Sequence, residues 1–192
     1  YEQISFHMTQ GIGFFEAGFT GTEEETLRRV VEKYLSPSPL GRAAFAEAAL
    51  ENAVHAGARQ YLILAAGFDT FACRQPAYGQ KLEIFEIDHP LTSAEKQKRV
   101  RQLAGPPIAN LHFVAADLTT KDWQYEVLKQ PAFDKDAVSF CSILGLCYYL
   151  AKEDWIKVLR ALAEILAEGS RIVFDYPLQA EEGEAVGKMA SL

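Results

Sequence analysis

Residues 60–88 read QYLILAAGFDTFACRQPAYGQKLEIFEID, and this stretch decides the fold. The apolar run 61–66 has no polar alternation and ends on Gly67, which is typical of a buried parallel strand followed by a tight turn. A second apolar run, 82–87, ends on Asp88. Asp88 follows Gly67 by roughly 20 residues, the spacing at which nucleotide-binding βαβ units place an acid against ribose hydroxyls. The same pattern also fits a turn glycine and an aspartate that only caps a helix, so two interpretations stay open.

Composition sets broad limits on the class of protein. The 192 residues are enough for one sizeable core, and we expect one structural unit with local additions. The net charge of −7 argues against a nucleic-acid partner, because phosphate binding needs clustered cations. No apolar run approaches the roughly 20 residues of a membrane span, so we expect a cytoplasmic protein with no membrane partner. The three cysteines lie in or beside apolar segments, which favours reduced thiols, and the four scattered histidines predict no metal site.

The segment before residue 58 has helical patterns and no strand. Thr22 and Glu25 form a capping-box signature that predicts a helix over about 22–35. A second helix is predicted after Pro39, ending near Gly57. Its predicted inward positions are Phe45, Ala48, Ala49 and Val54. We therefore expect an N-terminal arm and helical cap over residues 1–57.

From residue 58 onward, strand and helix patterns alternate. Strands are predicted at about 60–66, 82–87, 111–115, 137–142 and 170–175. Helices are predicted over 91–104, near 123–128 and over 152–167. The cations of the first of these helices, Lys96, Lys98, Arg99 and Arg101, are interpreted as a solvated face. The alternation predicts an α/β fold with a doubly wound, mostly parallel sheet over 58–192 and a helical addition in front of it.

Acidic residues follow four of the five predicted strands. In open parallel sheets, ligands bind outside the carboxyl ends of the strands, near the point where the strand order reverses. The residues at the predicted strand ends are Ala66, Gly67 and Asp69, then Asp88, then Asp117 and Leu118, then Ser142, and finally Asp175. Helix capping can explain each aspartate singly. The series as a whole favours a ligand with hydroxyl and amine donors.

The turn after the first strand argues against one common ligand class, the dinucleotides. Asp69 stands where the G-x-G-x-x-G fingerprint has its second glycine, and its charge would repel a pyrophosphate. A ligand that has an ammonium group and no phosphate fits better. S-adenosylmethionine is such a ligand.

Four segments resemble one known family. LILAAGFDTFACRQP, FEIDHP, AADL and SILGLCYYL occur in an order and spacing similar to the leucine carboxyl methyltransferase-like family of class I S-adenosylmethionine-dependent methyltransferases. That family includes bacterial O-methyltransferases of the tetracenomycin-polyketide type. The resemblance covers roughly residues 40–178. It implies a Rossmann-like fold with two further C-terminal strands, for which too few residues follow Pro177, so we expect the C-terminal part to be absent from this chain or the catalyst to be incomplete.

The resemblance also implies roles for individual residues. Ala66 and Gly67 would line the methionine moiety of the cofactor, and Asp88 would accept hydrogen bonds from the ribose hydroxyls. Asp117 would accept from the adenine amine, with Leu118 packed beside the ring. Asp69 and Arg74 would shape the cofactor loop. Ser142 stands where some relatives have a glutamate and would offer only a backbone contact. Arg42 either meets the cofactor carboxylate or is a surface charge.

These observations predict an S-adenosyl-L-methionine-dependent O-methyltransferase that acts on a carboxylate or hydroxyl of a small molecule or peptide terminus and releases S-adenosyl-L-homocysteine. A carboxylate acceptor has a pKa of about 4 and needs no general base at neutral pH, whereas a phenol or alcohol does. No residue is assigned as a catalytic base. Tyr149, Asp175 and Tyr176 lie near the predicted active edge and are candidates for substrate contact. Two alternatives stay open, a non-catalytic cofactor-binding or interaction module and an NAD-type oxidoreductase, and the oligomeric state is not predicted.

Overall fold

A five-stranded parallel sheet organises the chain. The computed structural model describes residues 22, 25, 28, 38–74, 76–104 and 107–176. The strands are β1 (Gln60–Leu64), β2 (Glu83–Asp88), β3 (Leu111–Ala115), β4 (Ser139–Ile143) and β5 (Arg171–Phe174). They pair in the order β3-β2-β1-β4-β5, and every neighbouring pair is parallel. The predicted doubly wound α/β sheet is confirmed, and the order reverses between β1 and β4.

Helices cover both faces of this sheet. They are α1 (Ser38–His55), α2 (Phe71–Arg74), α3 (Pro90–Ala104), α4 (Gln124–Leu128) and α5 (Lys152–Ile165). Single turns of 3₁₀-helix occupy Ala77–Lys81 and Cys147–Tyr149. The residues of β1 and β4 are buried throughout, which is why their sequences are apolar runs without alternation.

The core has two layers, one on each side of the sheet. On one side, Leu62, Phe85 and Ile143 pack with Val127 of α4 and Leu162 of α5. On the other side, side chains of β1, β2 and β4 pack with those of α1 and α2, including Tyr61, Ile84, Phe140, Leu50 and Phe71. Each layer buries one set of alternate strand residues. The carboxyl ends of the strands are thereby left as the edge where a ligand can be reached.

The rotation of α1 about its axis differs from the prediction. Ala49 is half-buried and Val54 is buried, as expected, but Phe45 and Ala48 are exposed. The face that meets the sheet carries Ala46, Leu50, Ala53 and Val54. Because six of its 18 residues are alanines spread around the axis, its apolar pattern is nearly the same in every direction, and the sequence could not select the buried face.

The interpretation of Lys96 as a solvated cation was wrong. Lys98 and Arg101 are exposed, as predicted, and Arg99 pairs with Glu95 one turn earlier. Lys96 instead is buried, and its Nζ lies 2.6 Å from Oε2 of Glu86 in β2. A cation on a helix becomes buried when a strand presents an opposite charge to it, and the helical pattern alone does not contain that information.

The predicted capping box is confirmed. The Thr22 N–H donates to Glu25 Oε2 at 2.9 Å, and the Glu25 N–H donates to Thr22 Oγ1 at 3.2 Å. The predicted arm over 1–21, most of the helix over 22–35 and the expected C-terminal truncation lie outside the described residues. Cys73, Cys141 and Cys147 are free thiols, as expected. Within the described ranges, no helix is both long enough and apolar enough to cross a bilayer.

Candidate functional site

A cavity opens at the carboxyl edge of the sheet, where the strand order reverses between β1 and β4. Its volume is about 340 Å³. Five of the predicted cofactor residues line it, namely Arg42, Ala66, Gly67, Asp69 and Ser142. The other four, Arg74, Asp88, Asp117 and Leu118, do not line it. The cavity lies where open α/β sheets bind their ligands.

A larger groove, of about 740 Å³, lies elsewhere on the surface. It is bordered by the segment 118–125 and by polar residues of α5, among them Lys157 and Glu164. No residue of β1 or β4 lines it. We take the smaller cavity as the candidate site because it contains the strand ends and the turn glycine, which bring backbone amides and side chains together.

The turn after β1 is held by Asp88. Gly67 has a φ of 47°, in the left-handed region that glycine adopts without strain. Its N–H donates to Asp88 Oδ2 at 2.5 Å, and the N–H of His89 donates to Asp88 Oδ1 at 2.7 Å. Asp88 thus orders the turn, as in the capping interpretation. Each carboxylate oxygen also has a second lone pair available to a ligand, as in the ribose-binding interpretation.

Asp69 and Arg74 stabilise the loop that follows. Asp69 Oδ1 accepts a hydrogen bond of 2.7 Å from the N–H of Phe71 and so caps α2. Arg74 donates to Thr70 Oγ1 at 3.1 Å and makes a two-pronged contact with Glu47 of α1, at 3.1 and 2.5 Å. The loop that borders the cavity is therefore fixed to α1 as well as to the sheet.

Asp117 and Leu118 follow β3, next to Asp88 at the end of β2. Asp117 Oδ1 accepts hydrogen bonds from the Thr119 hydroxyl at 2.7 Å and from the Thr119 N–H at 2.9 Å. These bonds lower the pKa of Asp117, so it is ionised at neutral pH. Leu118 packs against the core and borders the larger groove rather than the cavity.

Asp175, just after β5, collects four donors. Its Oδ2 accepts from Arg42 Nη1 at 3.0 Å and from the Tyr148 hydroxyl at 2.8 Å, while its Oδ1 accepts from the Gly145 N–H at 2.6 Å. The Cys147 thiol donates to the carbonyl oxygen of Asp175 at 2.8 Å. Burial by itself raises the pKa of Asp175, but the bonds from Gly145, Tyr148 and Arg42 outweigh it and hold the pKa below its ordinary value. We call Asp175 with these four donors the Asp175 hub.

Sequence reasoning did not identify this hub. It singled out Arg42 and Asp175 separately, but they are 133 residues apart and their contact has no local signal. The segment SILGLCYYL, which contributed to the family resemblance, contains the other three members. That a glycine, a cysteine and a tyrosine of one short loop all contact a single aspartate is visible only in the folded chain.

The remaining predicted residues differ in surroundings. Ser142 is buried, and its hydroxyl shares a hydrogen bond of 2.8 Å with that of Tyr61, so its side chain is already engaged. Tyr149 and Tyr176 are largely exposed and do not line the cavity. Across the described ranges, no cluster of three or more His, Cys, Asp or Glu side chains has the arrangement of a metal site.

The sequence pattern of the family described as "Leucine carboxyl methyltransferase" matches residues 6–163. The chain belongs to the leucine carboxyl methyltransferase family. The resemblance stated from the four sequence segments is confirmed. As a member of this family, the chain has S-adenosyl-L-methionine as its cofactor.

Individual relatives agree with this membership. The chain is 38% identical over 177 residues to the putative S-adenosyl-L-methionine-dependent methyltransferase YktD of Bacillus subtilis, covering 90% of this chain and 58% of that relative. Among solved structures, a DUF574 family protein from Streptomyces avermitilis has a TM-score of 0.56 at 17% identity, covering 90% of this chain and 66% of the other. PigF, solved with S-adenosylhomocysteine, has a TM-score of 0.51 at 14% identity, and the match covers 67% of this chain and 35% of PigF. These two structures show the class I methyltransferase fold of the sheet.

Proposed function

We propose that this chain binds S-adenosyl-L-methionine along the carboxyl edge of the sheet, with the methionine portion in the cavity between the ends of β1 and β4, and is the donor-binding part of an O-methyltransferase. The observation that carries the proposal is the turn at Gly67, whose amide is held by Asp88 and which lines the same cavity as Arg42. Such a site offers a carboxylate to the hydroxyls of the ribose and a cation to the carboxylate of the amino acid.

Each part of the donor has a candidate partner. In this proposal the methionine portion lies along the backbone of Ala66 and Gly67, with its carboxylate at Arg42. The ribose hydroxyls donate to Asp88. The adenine amine donates to Asp117, and Leu118 packs beside the ring. The donor thus lies in the domain formed by 58–192, while the helical cap over 1–57 supplies Arg42.

The acceptor in this proposal is a carboxylate or hydroxyl of a small molecule or of a peptide terminus. The acceptor oxygen attacks the methyl carbon as the sulfur–carbon bond breaks, and S-adenosyl-L-homocysteine leaves. Positioning the two reactants in line supplies much of the acceleration. Asp175 is already bonded to Arg42, Gly145 and Tyr148, which makes it a poor proton acceptor. A carboxylate acceptor fits best, because it is ionised at neutral pH without a base.

The proposal extends to the surroundings of the protein. A net charge of −7 favours small acceptors or peptides over nucleic acids. We propose a cytoplasmic location without a membrane partner, in keeping with the free thiols.

Calorimetric titration with S-adenosylhomocysteine tests the proposal. We expect micromolar binding by the wild-type protein, loss of binding in Asp88→Ala and no binding of NADH. Asp136→Ala is the matched control, since Asp136 is exposed near the start of β4, at the opposite edge of the sheet. Binding of NADH, or failure of the wild-type protein to bind S-adenosylhomocysteine, would contradict the proposal. Binding without methyl transfer to any carboxylate or hydroxyl acceptor would instead support the non-catalytic alternative.

A further inference from the structure

We propose that Asp175 is a positioning residue for the amino-acid end of the methyl donor: it holds the Arg42 guanidinium where that group binds the donor carboxylate. The inference rests on the proposed function, since it assumes that the cavity takes S-adenosyl-L-methionine. It assigns Asp175 to the donor, whereas the sequence suggested a contact with the acceptor.

The first support is the placement of Arg42. It projects from α1 into the lining of the cavity, and its side chain is 30% exposed. Only Nη1 is bonded to Asp175, at 3.0 Å. A guanidinium has five N–H donors in a fixed plane, so the bond to Asp175 leaves donors for a second carboxylate. An arginine held by one acid can therefore present a defined edge to another.

The second support is the contact between Arg42 and Gly145. A Cβ atom added to Gly145 would lie 2.6 Å from Nη2 and 3.1 Å from both Cζ and Nη1 of Arg42. The guanidinium therefore lies directly against the Gly145 backbone. The N–H of that same residue donates to Asp175 Oδ1 at 2.6 Å. The loop after β4 thus fixes both the acid and the face of the cation.

The third support is the rigidity of Asp175 itself. The Tyr148 hydroxyl donates to Oδ2 at 2.8 Å and the Cys147 thiol donates to the backbone carbonyl, so both the side chain and the main chain are anchored. The carboxylate stays ionised at neutral pH because its donors favour the charged form. An anchored anion orients a mobile arginine, and the side-chain freedom of Arg42 is lost before the ligand arrives.

The test compares two ligands that differ in the amino-acid end. S-adenosylhomocysteine carries the carboxylate, whereas 5′-methylthioadenosine keeps the nucleoside and the thioether without it. Asp175→Asn preserves the shape of the side chain and removes the charge that holds Arg42. We expect the affinity for S-adenosylhomocysteine to fall about ten-fold, while that for methylthioadenosine stays unchanged. In an Arg42→Ala background, Asp175→Asn should cause no further loss.

Tyr148→Phe provides a milder variant, in case Asp175→Asn impairs folding. It removes one hydrogen-bond donor to Asp175 and keeps the charge of the carboxylate. We expect the affinity for S-adenosylhomocysteine to fall roughly two- to three-fold and that for methylthioadenosine to stay unchanged. An equal loss for both ligands in either variant would show a merely structural role and overturn the inference. Unchanged affinity for S-adenosylhomocysteine in Asp175→Asn would overturn it while the proposed function stands. Absence of any binding of S-adenosylhomocysteine by the wild-type protein would instead overturn the proposed function.

Discussion

The Glu86 carboxylate and the Lys96 ammonium lie 2.6 Å apart in the layer between β2 and α3. Both side chains are almost fully buried, with exposures of 2% and 3%. In the part of the chain that the structure describes, their polar atoms have no hydrogen-bond partner of good geometry, so the pair depends on charge attraction. Glu86 is two residues before Asp88 and shares its side of the sheet. The pair therefore attaches α3 to the strand that ends in the proposed ribose-binding aspartate.

Removing one charge of this pair should be far more harmful than removing both. Lys96→Met leaves the Glu86 carboxylate buried without its partner, and we expect the free energy of unfolding to fall by about 3–5 kcal/mol. The double variant Glu86→Gln with Lys96→Met has no buried charge, so it should recover most of that loss. Urea denaturation of the four proteins gives the coupling energy. Simple additivity of the two changes would contradict this account.

The same pair predicts a dependence of stability on pH. Burial raises the pKa of Glu86 from its ordinary value of 4.5 to about 7, although the Lys96 ammonium opposes the shift. The folded protein therefore keeps this proton to a higher pH than the unfolded chain does. The stabilisation that Glu86 contributes is fully present below pH 4.5 and is lost as the pH rises through 7. Between pH 5 and 8, denaturant titrations should therefore show the free energy of unfolding of the wild-type protein falling relative to that of Glu86→Gln. If the two proteins have the same dependence on pH, this prediction is wrong.

Two glycines of the site should respond differently to alanine. Gly67 and Gly145 both have a positive φ, of 47° and 71°, so each substitution adds roughly 1–2 kcal/mol of backbone strain. A Cβ at Gly67 has no neighbour closer than 3.9 Å, whereas one at Gly145 collides with Arg42. Arg42 can move aside, but it then gives up its hydrogen bond with Asp175. We therefore expect Gly145→Ala to lower the free energy of unfolding by roughly 1 kcal/mol more than Gly67→Ala in chemical denaturation.

Arg42→Ala serves as the partner change for this comparison. In that background the excess loss of Gly145→Ala should disappear, and the loss of Gly67→Ala should be unchanged. If the excess persists without Arg42, the guanidinium does not lie against Gly145 as described.

Arg74 should not tolerate lysine. Its guanidinium contacts both carboxylate oxygens of Glu47, and the two side chains are only 16% and 23% exposed. Lysine keeps the charge and loses the two-pronged geometry, so we expect Arg74→Lys to lower the free energy of unfolding by about 1–2 kcal/mol. Arg101→Lys, at an exposed position of α3, is the control and should change it by less than about 0.5 kcal/mol. Equal effects in thermal denaturation would contradict the prediction.

The centre of the sheet could be predicted because β1, β2 and β4 are buried on both sides over most of their length. The apolar runs of the first two predicted strands end at Gly67 and Asp88, and the bounds of every predicted strand lie within two residues of the observed ones. Since parallel strands end at one edge, Gly67 and Asp88 could be expected to meet, and they do. Part of the site was therefore contained in the order and length of the segments.

Contacts that depend on the path of the chain could not be predicted. Lys96 has the same helical pattern as the exposed Lys98, and only the strand beneath it decides which is buried. The sequence around Arg42 does not distinguish a surface charge from the observed member of the Asp175 hub. The buried face of α1 was uncertain for a related reason, because alanine-rich helices bury whichever side the sheet covers. In each case the deciding atoms belong to a different secondary-structure element.

The contact between Arg42 and Asp175 should form late in folding, so the cavity should be completed late as well. Its partners are separated by 133 residues, so closing it costs more chain entropy than any contact within a neighbouring pair of segments. During synthesis Arg42 emerges early, and β1 to β4 are available before Asp175 has been added. The Asp175 hub, which holds the Arg42 guanidinium, is then completed only after β5 has joined the sheet. A chain in which β5 has not yet docked would have most of its core and an incomplete donor site.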